Sequence, residues 1–233
     1  MISFRHALVT GGGSGIGRAV AEALAASGVE VTICGRRIEA LEAVAAGNPR
    51  IHAMTADVAD EASVAALYDR AQAARGAFDI VVANAGLGES APAHRTSLEL
   101  WQRTMAVNLT GAFLSVRPAL EPMKRAGKGR IVFIASIAGL KGAPYISAYV
   151  ASKHGVIGLM RALAAELAQT DITVNAVCPG YVETPMLERT IANIVKKTGR
   201  SEADARAEVA SDNPQGRLIE VDEVAGTVMW LLD

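Results

Sequence analysis

Six short apolar runs alternate with helix-like stretches along most of this chain, and no other feature narrows its possible folds so far. HALVT, VEVTIC, IHAMTA, DIVVANA, RIVFIAS and ITVNAVC are brief and rich in Val and Ile, the composition of strands buried on both faces. Between them lie GIGRAVAEALAAS, RIEALEAVAAG, DEASVAALYDRAQAA, SLELWQRTMAVNLTGAFLSVRPALEPMKRA and SAYVASKHGVIGLMRALAAELAQ, with apolar residues at helical spacing. Such alternation predicts a parallel sheet covered by helices on both faces, and right-handed crossovers make it doubly wound. The expectation is therefore an α/β chain of Rossmann type, one domain over residues 1–233, with no linker, repeat or low-complexity tract.

ALVTGGGSGIGRAVAEAL places a glycine-rich loop between the first strand and its helix. Gly11, Gly15 and Gly17 follow a T-G-x-x-x-G-x-G spacing. Glycine permits a close backbone approach to a ligand, and the helix that follows offers unpaired N–H groups to a pyrophosphate. In this strand-to-helix context the loop predicts a dinucleotide site. The second strand ends TICGRR, with Gly35 where NAD-specific sites carry an acidic residue, followed by Arg36 and Arg37. A guanidinium fork suits a 2′-phosphate, so NADP(H) is favoured and NAD(H) is the alternative; a solvated helix start would use the same two arginines.

Ser136, Tyr149 and Lys153 form the second constellation. Tyr149 and Lys153 are an i, i+4 pair on the helical run YVASKHGVIGLMRALAAELA and so share one face. A neighbouring ammonium lowers a phenol's pKa from about 10, which predicts Tyr149 as an acid/base for an alcohol or carbonyl. Ser136 closes the strand-like run GRIVFIAS, at that strand's carboxyl edge. Taken alone, a Tyr-x-x-x-Lys pair is as well explained by a helix surface.

With Thr10 to Gly17, ANAG at 83–86, Ser136, Tyr149, Lys153 and CPG at 178–180 in this order, the chain resembles the short-chain dehydrogenase/reductase family over nearly its whole length. The resemblance implies that Tyr149 is the proton donor and acceptor, that Lys153 lowers its pKa and bonds the nicotinamide ribose, and that Ser136 polarises the substrate carbonyl. It implies that Asn108, in MAVNLTG, disturbs a helix to hold a water in a proton relay. Asp57 and Val58, in TADVAD, would meet the adenine, although Asp57 could equally cap the next helix. Asn84, Ala85 and Gly86 would lie along the adenosine-side ribose and brace the sheet. Ser14 and Ile16 belong to the glycine loop's cofactor contacts, and Pro179, Gly180, Val182 and Thr184 to those of the nicotinamide carboxamide. HGVIGLMRALAAELAQTDITVNAVCPGYVETPM is most similar to the β-ketoacyl reductase and 3-hydroxyacyl dehydrogenase side of the family.

Residues 181–216 break the strand–helix rhythm, and a long excursion there is expected to be a substrate lid. Lys196, Lys197 and Arg200 could meet an anionic carrier such as a coenzyme A thioester, or form a solvated helix face. The function these readings imply is interconversion of a ketone and a secondary alcohol, as NADPH-dependent reduction of a β-ketoacyl thioester or related ketone. The alternatives are an NAD-dependent secondary-alcohol or 3-hydroxyacyl dehydrogenase and a catalytically idle nucleotide-binding regulator. A net charge of -1 argues against a nucleic-acid partner. No apolar run reaches the roughly 18 residues of a membrane span, and MISFRHALVT is too polar for a leader. Cys34 and Cys178 lack metal or redox spacing, so no metal is expected, and buried thiols near strand ends in a cytoplasmic setting are. The resemblance implies that the long helical pattern 99–126 and the Tyr149 helix pair into a homotetramer, with Val156 and Leu163 turned outward. The resemblance also implies a last strand after VDEVAGTVMWLL; residues beyond Asp233 are expected to supply it, the alternative being a chain that lacks it.

Overall fold

A computed structural model describes residues 4–233; the first three residues, which begin the amino-terminal stretch discussed above, lie outside the described residues. The six expected strands form one parallel sheet: β1 (His6–Thr10), β2 (Glu30–Gly35), β3 (Ile51–Thr55), β4 (Ile80–Ala83), β5 (Lys128–Ile134) and β6 (Asp171–Val177). Their order is β3-β2-β1-β4-β5-β6. The order reverses between β1 and β4, so the loops leaving these two strands diverge and open a crevice at their carboxyl ends.

Helices cover both faces. On one side α1 (Gly15–Ala26), α2 (Ile38–Ala45) and α9 (Val221–Leu232) bury Val20, Leu24, Leu41 and Val228 against Val9, Ile33 and Val82. On the other, α3 (Glu61–Arg75), α5 (Gly111–Ala126) and α6 (Ser147–Glu166) bury Leu67, Leu114, Ala119 and Val156 against Leu8, Val81 and Phe133. Because alternate residues of every central strand meet a helix layer, the strands read as unbroken apolar runs. Val156 and Leu163, expected to face outward, are 2% and 7% exposed and belong to this second layer. Among the described residues, the large hydrophobic side chains left on the surface are instead Leu98, Trp101 and Phe113, on α4 (Leu98–Met105) and α5, with Leu140, Tyr145 and Trp230 elsewhere.

The helical pattern of 99–126 is continuous but not uniform. A π-helical turn at Ala106–Thr110 joins α4 to α5 and carries Asn108. After β6 the chain forms α7 (Pro185–Thr198) and α8 (Glu202–Ser211), which share a small apolar core of Leu187, Ile191, Ala205 and Val209. Cys34 is buried within β2, whereas Cys178, just past β6, is only partly covered. Among the described residues no helix is long and apolar enough to cross a membrane.

Candidate active site

The crevice begins at the glycine loop. Gly11 and Gly15 take φ of 67° and 54°, a region that L side chains rarely enter. Gly17 leaves no room for a side chain, since a Cβ there would stand 2.4 Å from both the Asn84 Nδ2 and the Gly11 carbonyl oxygen. Asn84 is committed to bracing this loop: its Nδ2 donates to the Thr10 carbonyl (2.8 Å) and its backbone N–H to Thr10 Oγ1 (3.0 Å), which also accepts from Ala85 N–H (3.0 Å). The ends of β1 and β4 are thereby locked together around the start of α1. Ser14 is the N-cap residue of α1 but makes no side-chain cap bond there, and Ile16 packs against the apolar layer beneath.

Arg36 and Arg37 project from the end of β2 as exposed side chains. Neither makes a side-chain hydrogen bond or ion pair among the described residues, which leaves both guanidinium groups available beside the glycine loop. Asp57 does not cap α3. That task falls to Asp60, whose carboxylate accepts from Ala62 N–H, while Asp57 Oδ1 accepts from Ala59 N–H (3.0 Å). Val58 is buried against Gly111. Positive-φ glycines and an open helix N-terminus at the switch point, with two uncommitted arginines after β2, fit a nicotinamide dinucleotide.

Deeper in the crevice, Ser136 caps a short 3₁₀ turn after β5, with Oγ accepting from Ala138 N–H (3.1 Å). Its hydroxyl lies near enough to the Tyr149 phenol to favour the ionised form of that phenol. Lys153, one turn along α6 from Tyr149, lies 5.7 Å from the tyrosine ring centre and is 5% exposed. Its Nζ donates to the Ile134 carbonyl (2.7 Å) at the end of β5. Burial pushes the Lys153 ammonium down to about 8. Burial also raises the Tyr149 phenol above its ordinary value; the nearby Ser136 hydroxyl opposes this and Tyr181 adds to it. The expected lowering of the phenol by Lys153 is therefore not what the site displays. The ammonium is turned to a backbone carbonyl, and burial is the largest influence on the phenol.

Asn108 supports this group from behind. Its Oδ1 accepts from Leu87 N–H (2.8 Å), and its Nδ2 donates to the Leu87 carbonyl (2.9 Å) and to Ser152 Oγ (3.0 Å). Ser152 in turn donates to the Tyr149 carbonyl (2.8 Å). The π turn is what aims the Asn108 carboxamide at both Leu87 and α6, and Gly86 lies beside it, where a Cβ would be 3.4 Å from Asn108 Oδ1 and 3.8 Å from Lys153 Nζ. Ser152 was not singled out from sequence. The sequence offered only a serine three residues after Tyr149, a type that can bond back to its own helix; its complete burial is a finding of the structure.

The far wall is formed by residues 179–184. Pro179 O accepts from Ile137 N–H (2.9 Å), Gly180 and Val182 follow, and Thr184 caps α7 while its Oγ1 donates to the Val182 carbonyl (3.2 Å). Thr184 Cγ2 comes within 3.2 Å of where a Gly15 Cβ would be, so this wall closes over the glycine loop. On α7, Asn193 Nδ2 donates to Ser90 Oγ (2.8 Å) and Lys197 Nζ to the Ser90 carbonyl (3.4 Å), spanning the mouth above Tyr149. Arg200 is paired with Glu208, so it is withdrawn from the basic cluster formed with Lys196 and Lys197.

A family profile described as short chain dehydrogenase matches residues 5–194. The chain is 42% identical over 233 residues to a cis-4-hydroxycyclohexanecarboxylate dehydrogenase of Sinomonas cyclohexanicum, covering 97% of this chain and 88% of that protein. It is 36% identical over 236 residues to a D-beta-hydroxybutyrate dehydrogenase of Rhizobium meliloti, covering 97% and 91%. A crystal structure of an actinorhodin polyketide ketoreductase variant with NADPH superposes with a TM-score of 0.94 at 37% identity, covering 100% of this chain and 92% of that one.

Proposed function

The chain belongs to the short-chain dehydrogenase/reductase family, an oxidoreductase that interconverts a ketone and a secondary alcohol with NAD(P), and on that premise we propose that it works as an NADPH-dependent ketoreductase acting on a β-ketoacyl thioester or related ketone. The observation that carries this reading is the gathering of Tyr149 and the buried Lys153 of α6 at the end of β5, where Ser136 stands, in the crevice that the glycine loop opens. Support for NADPH comes from Gly35 in place of an acidic residue and from the uncommitted Arg36 and Arg37. The ketoreductase neighbour seen with NADPH agrees with it.

When bound, the nicotinamide dinucleotide supplies the hydride that the carbonyl carbon receives. In this reading Gly11, Ser14, Gly15, Ile16 and Gly17 hold its pyrophosphate side. Arg36 and Arg37 hold the ribose phosphate, Asp57, Val58, Asn84, Ala85 and Gly86 the adenosine half, and Pro179, Gly180, Val182 and Thr184 the carboxamide. Ser136 and Tyr149 hold the substrate oxygen between two hydroxyl donors. Negative charge grows on that oxygen as the carbonyl is reduced, and Tyr149 passes its proton there. A phenol raised by burial stays protonated at neutral pH, which suits a donor in the reductive direction. Lys153 holds positive charge beside the phenolate that remains, and Asn108 anchors the backbone on both sides and the route by which the proton is replaced. Residues 181–216 act as the substrate lid of a single catalytic domain. Leu98, Trp101 and Phe113 mark the face through which the chain assembles as a tetramer, and the two free thiols accord with a cytoplasmic setting.

Tyr149→Phe tests the reading. It should lower ketone reduction by between about a hundred- and ten-thousand-fold while leaving NADPH affinity unchanged, and full turnover in that variant would remove Tyr149 as the proton donor.

A further inference from the structure

Asn213 follows α8 in the Asn-Pro turn that leads back to the sheet, outside every motif noted in the sequence. Its side chain is 2% exposed and fully engaged. Oδ1 accepts from the Tyr181 N–H (2.9 Å), and Nδ2 donates to the Tyr181 carbonyl (2.9 Å) and to the Arg217 carbonyl (2.8 Å). One carboxamide thus satisfies both peptide groups of Tyr181, as a neighbouring strand would. It lies so near that a Cβ on Gly180 would stand 2.2 Å from Asn213 Oδ1, which is reason enough for a glycine there. The rest of the clamp is backbone: Ile219 N–H donates to the Tyr181 carbonyl (3.0 Å), and Glu183 N–H donates to the Ile219 carbonyl (2.8 Å). Residues 181–183 are therefore held from the side away from the glycine loop.

We infer that Asn213 is a positioning residue for the reaction: it fixes the 180–184 wall against the nicotinamide end of the cofactor and makes that wall one piece with α8. This rests on the reading of residues 179–184 given above. The chemistry of the side chain argues for the role. Aspartate matches its shape but cannot donate to two carbonyls, serine is too short to span both peptide groups, and an apolar residue would leave the Tyr181 N–H without its side-chain partner and the Tyr181 carbonyl with only the Ile219 N–H. Because Asn213 closes α8 on one side and grips Tyr181 on the other, movement of the α7–α8 unit is transmitted to Val182 and Thr184.

The test uses the full chain with Asn213→Asp, Asn213→Ala and Gly180→Ala, the last crowding the same carboxamide from the opposite side. Affinities for NADPH and for ADP-ribose 2′-phosphate, which lacks the nicotinamide, are measured by titration, with thermal unfolding and the split between kcat and KM for a ketone. The expected result is NADPH binding weakened about tenfold, with a lower kcat and binding of ADP-ribose 2′-phosphate within about twofold of wild type. Equal weakening of both ligands, or no change in either, overturns the inference. Wild-type protein that binds the two ligands equally well overturns the nicotinamide reading of 179–184 itself, a result separable from failure of the variants alone. If Asn213→Ala does not fold, Asn213→Asp and Gly180→Ala decide the matter.

Discussion

Replacing Lys153 with methionine should change how the protein's stability responds to alkali. The ammonium is buried and its pKa is pushed down to about 8, against 10.5 for a free lysine. Because the folded value lies below the unfolded one, the unfolded chain binds the extra proton between about pH 8 and 10.5, and the Lys153 contribution to stability rises with pH across that window. At about 1.4 kcal/mol for each pKa unit, the stability gap between wild type and Lys153→Met should move by about 2 kcal/mol in favour of wild type between pH 7.5 and 10. Methionine keeps most of the stem, and the lost bond to the Ile134 carbonyl is a loss at either pH, so the difference between the two pH values isolates the titration. Equilibrium urea unfolding of both proteins at the two pH values reads this as a change in the midpoint difference on the order of 1 M. An unchanged midpoint difference would mean that the ammonium is not desolvated in the folded protein, and the account of its electrostatics would fall.

Three further outcomes follow from the same geometry. Gly35→Asp should lower catalytic efficiency with NADPH by at least roughly tenfold relative to NADH, because a carboxylate would face the ribose phosphate; steady-state kinetics with both cofactors would read an unchanged ratio against Arg36 and Arg37 as phosphate ligands. Gly17→Ala should cost about 1–3 kcal/mol of stability by thermal unfolding and weaken dinucleotide binding, since its Cβ would press on Asn84 and the Gly11 carbonyl. Asn108→Ala should leave both peptide groups of Leu87 without their side-chain partner and lower kcat more than it changes NADPH affinity; a change in affinity alone would show that Asn108 serves only the cofactor wall.

The strands were legible because a parallel sheet covered on both faces leaves an unbroken apolar signature, and the glycine loop, Ser136, Tyr149 and Lys153 were legible because local spacing carries their identity. Facing was harder. Val156 and Leu163 lie on a helix with apolar residues on several sides, and periodicity alone does not say which of them meets the sheet. The helix disturbance at Asn108 was anticipated from the resemblance alone; residue propensities do not show it, because the turn at Ala106–Thr110 is accommodated through tertiary bonds to Asn108. Ser152 and Asn213 escaped notice for a related reason: each works by gripping backbone, so neither belongs to a pattern of chemically reactive side chains. At Tyr149, spacing gives adjacency to Lys153 on a helix but says nothing about desolvation, which raises the phenol in the structure.

The π turn also makes the length of this helix a functional quantity. Deleting one residue from 106–110 would permit an ordinary α-helix from Leu98 to Ala126, with better local hydrogen bonding. That improvement would rotate α5 by about 100° relative to α4, carrying Leu114 and Ala119 off the sheet and Asn108 away from Leu87 and Ser152. A chain shortened there would gain a more regular helix and lose both its packing and its active-site scaffold, so this segment should tolerate changes of residue far better than changes of count.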